Sequence, residues 1–269
     1  MQFRPTPIKH SLSLPPAISS GDSVLAFSFA KAGSTLLYDI LHVLSPAAGL
    51  VYFSIEDQLF AQNVSPVRRP TQIGNILNPT GYCFGGFRQF PAFPVPILHS
   101  SRVVFLVRDP RDMITSLYFS MLRSHVVPQS ETAGGAREEM LATRRQLQHT
   151  DINDYAIDAI RTYVRMFEGY IAQGFHWRPN VAIYRYEDVI FQKAEWIADI
   201  CDWYGWSLPQ ETIRSVVSQV DIEPDGERPD EHVRQVTPGN HKKHLRPETI
   251  RAINQALGEY MRLFGYLND

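Results

Sequence analysis

The amino-acid sequence predicts a three-layer α/β/α fold built around a central, mainly parallel sheet. Two observations indicate this fold. Several short runs are wholly apolar, as buried parallel strands are, and the order strand, sharp turn, helix occurs twice. The chain has 269 residues, of which 44% are hydrophobic, so it can bury one full core. We therefore expect a single domain that spans residues 1–269.

The first strand–turn–helix unit is expected at residues 23–44. The run 23–29 is apolar and follows a Gly-Asp pair, which is typical of a turn before a buried strand. Leucine and isoleucine recur at helical spacing over residues 34–44. A tight turn at residues 30–35 must therefore connect this strand to this helix.

Four more strands follow in the sequence. The clearest is an apolar run that ends at Arg108, after which Pro110 suits the first turn of a helix reaching about Arg123. Between the second and third strands we expect irregular structure, because this stretch contains several prolines and asparagines. The four strands are predicted at residues 49–55, 81–87, 102–107 and 181–186.

A polar segment occupies residues 124–150. It contains Gly134-Gly135 and many charged or amide side chains, and a short helix is expected near residues 137–148. We interpret the segment either as a mobile lid over a substrate or as a plain surface loop. Asp151 then caps a long helix. This and the later helices are predicted at residues 151–173, 193–204, 211–219 and 247–264.

The composition argues against several classes of protein. A formal net charge of −2 gives no general attraction to nucleic acid or to anionic lipid, and no basic stripe occurs beyond Lys242-Lys243. Cys83 and Cys201 are the only cysteines, so we expect neither a disulfide framework nor a metal site. No apolar run has the length of a signal peptide or a membrane span. We therefore expect a cytoplasmic protein without membrane insertion and without a nucleic-acid partner.

The turn Ala30-Lys31-Ala32-Gly33-Ser34-Thr35 is predicted to bind a phosphate. It joins a buried strand to a helix, so its backbone N–H groups and the helix N-terminus face an anion. In the loop that binds nucleoside triphosphates, the lysine follows the last glycine and the next hydroxyl binds magnesium. Here Lys31 precedes Gly33, which suits an anion bound without a metal ion. The predicted fold thus includes a phosphate-binding turn similar to a P-loop.

Two segments together resemble the sulfotransferases that use 3′-phosphoadenosine-5′-phosphosulfate (PAPS). Lys31-Ala32-Gly33-Ser34-Thr35 resembles the family's K-S-G-T-T loop, and Arg108-Asp109-Pro110-Arg111-Asp112 with Ser116 is similar to its R-x-P-x-D-x-x-x-S signature. The resemblance implies PAPS as co-substrate, adenosine 3′,5′-bisphosphate (PAP) as product, and no metal. It implies that the 5′ phosphosulfate end is bound by Lys31, Ala32, Gly33, Ser34 and Thr35, and the 3′ phosphate by Arg108 and Ser116.

A third segment, residues 234–244, resembles the family's R-K-G-x-x-G-D-W-K-N-H sequence. Gln235 and Val236 stand in place of the lysine and glycine of that pattern. The resemblance implies that Arg234 and Gln235 contribute to donor binding. The triplet at residues 186–188 is similar to the family's Y-E-D element, which we interpret as structural.

Sulfuryl transfer requires a cation that stabilises the leaving group and a base that accepts the proton of the acceptor. The resemblance implies that Lys31 has the first role. Small-molecule members of the family place a catalytic histidine at a strand end, but the corresponding residue here is Gly85, and we expect His99 on the wrong side of the sheet. Glycan-modifying members use a glutamate after the second strand, where this chain has Glu56. We therefore predict Lys31 and Glu56 as catalytic residues, with Asp57 as the alternative base.

The acceptor side is less well specified by the sequence. Arg88 and Asp57 are predicted to bind the acceptor, which is a hydroxyl or amine of a carbohydrate or of a small-molecule alcohol. Aromatic residues over 82–93 either line an apolar acceptor pocket or pack in the core. The resemblance also suggests a homodimer. Two alternative functions are a P-loop nucleotide kinase-like enzyme and a non-catalytic nucleotide-binding protein.

Overall fold

The structure is a computed structural model that describes residues 12–61, 71–124, 136–220 and 236–267. Within these ranges the sheet has five strands, all parallel, in the order β2-β3-β1-β4-β5. This confirms the predicted parallel sheet. The strands are β1 Val24–Ser28, β2 Val51–Ser54, β3 Tyr82–Phe87, β4 Val103–Val107 and β5 Val181–Arg185.

Ten α-helices lie in the described parts of the chain. A 3₁₀ helix, Thr71–Ile76, and a π-helical turn, Ser120–Ser124, accompany them. The α-helices are α1 Ser34–Ala47, α2 Ile55–Ala61, α3 Pro110–Phe119, α4 Ala136–Leu147, α5 Ile152–Ile171, α6 Tyr186–Val189, α7 Lys193–Tyr204, α8 Gln210–Val220, α9 His241–His244 and α10 Pro247–Leu263.

The sheet separates two apolar clusters, one on each face. Alternate residues of a strand point to opposite faces, so Phe27 belongs to one cluster and Ala26 to the other. Helices α3, α5 and α10 contribute to the cluster that contains Phe27. Helices α1, α7 and α8 contribute to the cluster that contains Ala26. The three-layer arrangement predicted from the sequence is therefore confirmed.

The strand order creates a crevice at the carboxyl ends of β1 and β4. From β1 the chain proceeds to β2 on one side of the sheet, and from β4 it proceeds to β5 on the other. The loops that follow these two adjacent strands consequently diverge, and ligands of open α/β sheets bind at such points. Lys31 follows β1 and Arg108 follows β4, so both predicted anion-binding segments lie at this crevice.

Between β2 and β3 the structure is more regular than expected. Strand β2 ends at Ser54, and α2 begins at Ile55 where the sequence suggested a continuing strand. The hydroxyl of Ser54 accepts a hydrogen bond from the backbone N–H of Asp57 at 3.1 Å, so it caps the new helix. Acidic side chains in the first turn of α2 also favour this helix start.

A β-bulge interrupts β3 next to the site. Leu25 of β1 pairs with Phe84 and Phe27 pairs with Phe87, so two steps along β1 correspond to three along β3. Gly86 has a φ of 83° there, and a side chain at this position would overlap the hydroxyl of Ser54. The extra residue brings Arg88 to the carboxyl end of β3.

The region predicted as a lid or surface loop is partly described. Helix α3 ends at Phe119 rather than near Arg123 and continues as the π-helical turn. Helix α4, close to its predicted position, packs on this turn through a hydrogen bond of 3.2 Å from Arg144 Nε to the carbonyl of Met121. Residues 125–135 lie outside the described residues. The Asp151 side chain caps α5 as predicted, accepting from the N–H of Asn153 at 2.8 Å.

Candidate active site

The turn after β1 presents the N-terminus of α1. Gly33 occupies the N-cap with a φ of 88° and contributes no side-chain cap, so the first N–H groups of the helix are left for another acceptor. Ser34 is buried and Thr35 is exposed. Lys31 also has a positive φ, 69°, which is uncommon for a residue other than glycine and often marks a functional site. This geometry fits the predicted phosphate-binding turn.

Arg108 joins this turn to the second predicted segment. Its Nη1 donates to the carbonyl of Lys31 at 3.1 Å, and its guanidinium lies 4.3 Å from the centre of the Tyr186 ring. The side chain is only 8% exposed, yet its Nε has no hydrogen-bond partner among the described residues. A buried donor without a partner is costly. An anionic ligand that accepts from Nε would remove that cost.

Tyr186 explains why the turn needs glycine at position 33. A Cβ on Gly33 would lie 2.8 Å from Cδ2 of the Tyr186 ring. The same ring supports Arg108, and its hydroxyl donates to the carbonyl of Val236 at 2.9 Å. Tyr186 thus contacts all three segments of the resemblance. The sequence of the Y-E-D element gives no sign of these contacts, because they depend on packing between distant segments.

The two arginines at the start of α3 differ in how closely they pair with aspartates. Arg111 forms a close ion pair with Asp109, 2.6 Å between Nη2 and Oδ2. Arg108 lies farther from Asp112, at 3.8 Å. Ser116 follows Asp112 by one helical turn and is half-buried, on the helix face expected for it. The close ion pair therefore belongs to Arg111, and Arg108 keeps donor capacity for a ligand.

Asp112 holds the third segment in place. Its Oδ2 accepts from the N–H of Gly239 at 2.6 Å, and its Oδ1 accepts from the N–H of His241 at 2.9 Å. The Nδ1 of His241 lies 2.7 Å from the same Oδ1. Arg234 and Gln235, which the sequence assigned to donor binding, lie outside the described residues. The described continuation of their segment, from Val236, nevertheless reaches the second motif.

The environment of Asp112 favours its charged form. Burial raises the pKa of a carboxyl group, but the hydrogen bonds from His241 and the charge of Arg108 outweigh burial and lower the pKa of Asp112 to about 2. The carboxylate is therefore ionised throughout the physiological range.

Glu187 fixes the turn between β4 and α3. Its Oε1 accepts from the backbone N–H of Asp109 at 2.9 Å, and its Oε2 accepts from the hydroxyl of Tyr266 at 2.9 Å. Burial raises the pKa of Glu187, while these hydrogen bonds oppose the rise. The contacts fit a structural role, in which the end of β5 supports the loop that carries Arg108.

The three residues predicted for the acceptor side also lie at the carboxyl edge of the sheet. Glu56 and Asp57 lie in the first turn of α2, and Arg88 follows β3. Arg88 Nη1 and Asp57 Oδ1 are 3.5 Å apart, and both side chains are about half exposed. The backbone carbonyl of Arg88 accepts from the N–H of Ala30, which brings Arg88 next to the turn that contains Lys31.

The charge of Glu56 affects the pKa values of two buried tyrosines. Burial raises the pKa of Tyr38 and of Tyr170, and the charge of Glu56 raises both further. Their hydroxyls donate to backbone carbonyls at the ends of β3 and β1, Phe87 and Ser28. Glu56 therefore lies within electrostatic range of both strand ends, although the catalytic role predicted for it remains a prediction.

Other candidates from the sequence lie elsewhere. Gly85 lies inside β3, and His99 lies before β4, with Nδ1 2.9 Å from Nη1 of Arg178. His99 is therefore at the opposite edge of the sheet from Lys31. The aromatic side chains of Tyr82, Phe84, Phe87 and Phe93 are buried in the core, and the half-buried Phe90 stacks on Phe27. Core packing is thus the role of Tyr82, Phe84 and Phe87, whereas Phe90 and Phe93 also border a cavity.

A cavity of about 440 Å³ is present, and Phe90 and Phe93 contribute to its lining. It lies between the stretch from Phe90 to His99 and the end of α5, and none of the predicted site residues lines it. In the described ranges, no three His, Cys, Asp or Glu side chains are grouped in a way that could hold a metal ion. No helix within those ranges has the length and apolarity needed to cross a membrane.

Comparison with known families decides the assignment. Residues 89–265 match the family described as the sulfotransferase domain. The chain belongs to the sulfotransferase domain family. It is therefore a sulfotransferase, which agrees with the resemblance seen in the motifs and removes the kinase-like alternative. The matched range includes Arg108, Asp112 and Tyr186 and begins after the turn that contains Lys31.

Two solved structures have the same fold as this sulfotransferase over most of its length. Mouse sulfotransferase SULT7A1 complexed with PAP matches with a TM-score of 0.55 and 12% identity, over 90% of this chain and 84% of that one. Retinol dehydratase in complex with retinol and PAP matches with a TM-score of 0.52 and 15% identity, over 91% and 83% of the two chains. At this identity the similarity concerns the fold. A search of curated protein sequences found no match.

Proposed function

We propose that this sulfotransferase transfers a sulfuryl group from PAPS to an acceptor hydroxyl or amine, with Lys31 at the leaving group and Glu56 as the base. The observation that carries the proposal is the junction at the β1–β4 crevice. Arg108 Nη1 contacts the carbonyl of Lys31 there, while the buried Nε of Arg108 has no partner among the described residues. Two anion-binding segments thus meet, as a ligand with two separate phosphate groups requires.

The residues fit the two ends of the donor. The N-terminus of α1 and the hydroxyls of Ser34 and Thr35 suit the 5′ phosphate, since helix N-termini bind phosphates through backbone N–H groups. The guanidinium of Arg108 suits the 3′ phosphate, because its planar array of donors matches phosphate oxygens. The mouse sulfotransferase and the retinol dehydratase both contain PAP in their crystal structures, which supports the same ligand class.

The reaction needs one bond to form and one to break at sulfur. The acceptor oxygen or nitrogen bonds to sulfur as the bridging bond from sulfur to the 5′ phosphate oxygen breaks, and PAP leaves with that electron pair. The ammonium of Lys31 would stabilise the charge that develops on the bridging oxygen. Glu56 would accept the acceptor's proton.

The acceptor would bind beside Arg88 and Asp57. Both side chains are about half exposed at the edge where Glu56 lies, so they are available for contacts with a polar molecule. A carbohydrate or a small-molecule alcohol would satisfy these charged groups with its hydroxyls. One structure of retinol dehydratase contains retinol and another contains androsterone, both small molecules, which is consistent with the second of these classes.

Turnover measurements test the catalytic assignment. The release of PAP from PAPS would be measured with EDTA present, against a panel of acceptors comprising an oligosaccharide, a primary alcohol, a phenol and an amine. With the best acceptor, Glu56→Gln should lower kcat by about a hundredfold or more, because the base is lost. The exposed Glu211→Gln on α8 serves as the matched control and should keep full turnover.

Two results would contradict parts of this proposal. Full turnover in Glu56→Gln together with loss in Asp57→Asn would assign the base to Asp57. Full turnover in Glu56→Gln, Asp57→Asn and Arg88→Ala would contradict both the assignment of the base and the proposed acceptor-binding residues.

Four broader expectations belong to the same proposal. They are a single domain over residues 1–269, a lid or loop function for 124–150, a homodimer and a cytoplasmic location. The packing of α4 on the turn after α3 supports treating 136–147 as part of the domain. Sedimentation at several protein concentrations would test the dimer, and a constant monomer mass would contradict it.

A further inference from the structure

Asp112 lies between the two segments that approach the proposed 3′ phosphate site. On one side, its Oδ2 is 3.8 Å from Nη2 of Arg108. On the other side, its two oxygens accept from the N–H of Gly239, the N–H of His241 and Nδ1 of His241. One carboxylate therefore contacts Arg108 and also ties down the chain from Gly239 to His241.

These contacts of Asp112 are buried within the protein. Asp112 is 1% exposed and His241 is 3% exposed. A buried carboxylate must be compensated by donors, and the donors here come from a segment more than a hundred residues away in sequence. Tyr186 adds a second attachment, because its hydroxyl donates to the carbonyl of Val236 while its ring supports Arg108. The segment from Val236 to His241 is consequently fixed relative to Arg108 at two places.

We infer that Asp112 and His241 are a positioning pair for donor binding. They hold the segment from Val236 to His244 against Arg108 and orient the guanidinium toward the 3′ phosphate, without touching the donor themselves. This inference rests on the proposed function. Both residues lie within the segments that resemble the family, but neither the resemblance nor the proposed chemistry gives them a role.

The sign of the change in PAP affinity distinguishes positioning by Asp112 from simple neutralisation of Arg108. If Asp112 only neutralised Arg108, its removal would increase the net positive charge at the site and strengthen the binding of an anion. If Asp112 positions the segment, its removal should weaken binding despite the more positive charge. The two roles thus predict opposite changes in the dissociation constant of PAP.

The His241 side chain offers a graded set of variants. His241→Asn places an amide donor close to the position of Nδ1 and should preserve the hydrogen bond to Asp112. His241→Gln places its amide near the position of Nε2, and His241→Leu has no donor, so neither should preserve the bond. All three variants keep the backbone N–H of residue 241, and they therefore test the side-chain hydrogen bond alone.

The experiment measures the affinity of PAP by calorimetry in the full chain, together with kcat and the KM values for PAPS and acceptor. We expect Asp112→Asn, His241→Leu and His241→Gln to weaken PAP binding about tenfold or more and to raise the KM for PAPS, since a hydrogen bond to a charged group is lost. We expect His241→Asn to bind within about twofold of the wild type. The KM for the acceptor should not change.

Three outcomes would overturn the inference while leaving the proposed function intact. They are unchanged PAP affinity in His241→Leu, an equal loss in His241→Asn and His241→Leu, or tighter binding in Asp112→Asn. If Asp112→Asn does not fold, the His241 series decides alone. Failure of the wild type itself to bind PAP would contradict the proposed function, and the inference with it.

Discussion

At the residue scale, Arg108 and Arg111, which lie three positions apart at the start of α3, have different partners. Arg111 is held by Asp109, by the amide of Asn254 and by the carbonyl of Tyr266, so its donors are used within the protein. Arg108 stacks on Tyr186 and keeps a buried Nε without a partner among the described residues. The contrast explains why Arg108 rather than Arg111 is suited to bind a ligand.

The loop lysine should affect catalysis more than binding of the product. Lys31→Ala removes the charge proposed to stabilise the bridging oxygen, and we expect kcat to fall about 10²- to 10³-fold. PAP has lost the sulfuryl group, so its dissociation constant should change only a few-fold. Steady-state kinetics and calorimetry on the same preparation would test this separation. Equal losses in kcat and in PAP affinity would instead assign Lys31 to phosphate binding.

Asp112 should make stability depend on pH at the acid end. The pKa of Asp112 falls from its ordinary value of 3.8 to about 2 in the folded protein, because hydrogen bonds from His241 and the charge of Arg108 outweigh burial. The resulting stabilisation, roughly 2 kcal/mol, is fully present above about pH 4 and is lost as the pH falls through about 2.

Denaturant unfolding of wild type and Asp112→Asn at several pH values would test this dependence. The difference in free energy of unfolding should be constant near neutral pH and should shrink between about pH 4 and 2. A difference that does not change over this range would show that Asp112 is not the group responsible.

The motif resemblance, together with positions after predicted strands, was sufficient to find the candidate site residues at the strand ends. Lys31, Glu56, Arg88 and Arg108 all lie at the carboxyl edge of the sheet, as their positions after predicted strands indicated. The roles of Asp112 and Tyr186 could not be predicted, because their partners belong to segments that only the folded chain brings together.

At the element scale, most helices and strands lie where hydrophobic periodicity placed them. Helix α7 has the predicted bounds, and α10 ends one residue earlier than predicted. The main differences are α2 and the bulge in β3, which depend on a cap by Ser54 and on the close approach of Gly86 to β2. The approach of Gly86 to Ser54 joins two neighbouring strands and leaves no periodic signal in the sequence, whereas the cap by Ser54 is a local contact across three residues.

The turn after β1 offers a direct test of an element's geometry. Gly33→Ala would place a methyl group 2.8 Å from the Tyr186 ring at a φ of 88°. We expect it to displace the ring from Arg108 and to weaken PAP binding, beyond the roughly 1 kcal/mol cost of the backbone conformation alone.

Gly49→Ala is the matched control for this variant. Its φ of 78° carries a similar backbone cost, but its nearest contacts are at an ordinary 3.7 Å and it lies in the turn between α1 and β2. It should lower stability without changing PAP affinity. If both variants bind PAP as the wild type does, the support of Arg108 by Tyr186 is unimportant for donor binding.

At the scale of the whole molecule, the order of the strands brings the site together. A parallel sheet followed from the apolar runs, but the order β2-β3-β1-β4-β5 is set by packing of helices on both faces and was not predicted. This order makes β1 and β4 neighbours, and so it brings Lys31 and Arg108 into contact although they are 77 residues apart.

The measurement that tests the central claim most directly is calorimetry of PAP binding in the presence of EDTA. Wild-type protein should bind PAP without metal, and Arg108→Ala should weaken binding about a hundredfold, because several charge-assisted hydrogen bonds to phosphate are lost. Arg102→Ala, which removes an exposed arginine at the other end of β4, should bind as the wild type does. Absence of PAP binding, or binding only of ATP with magnesium, would contradict the assignment of the β1–β4 crevice as a PAPS site.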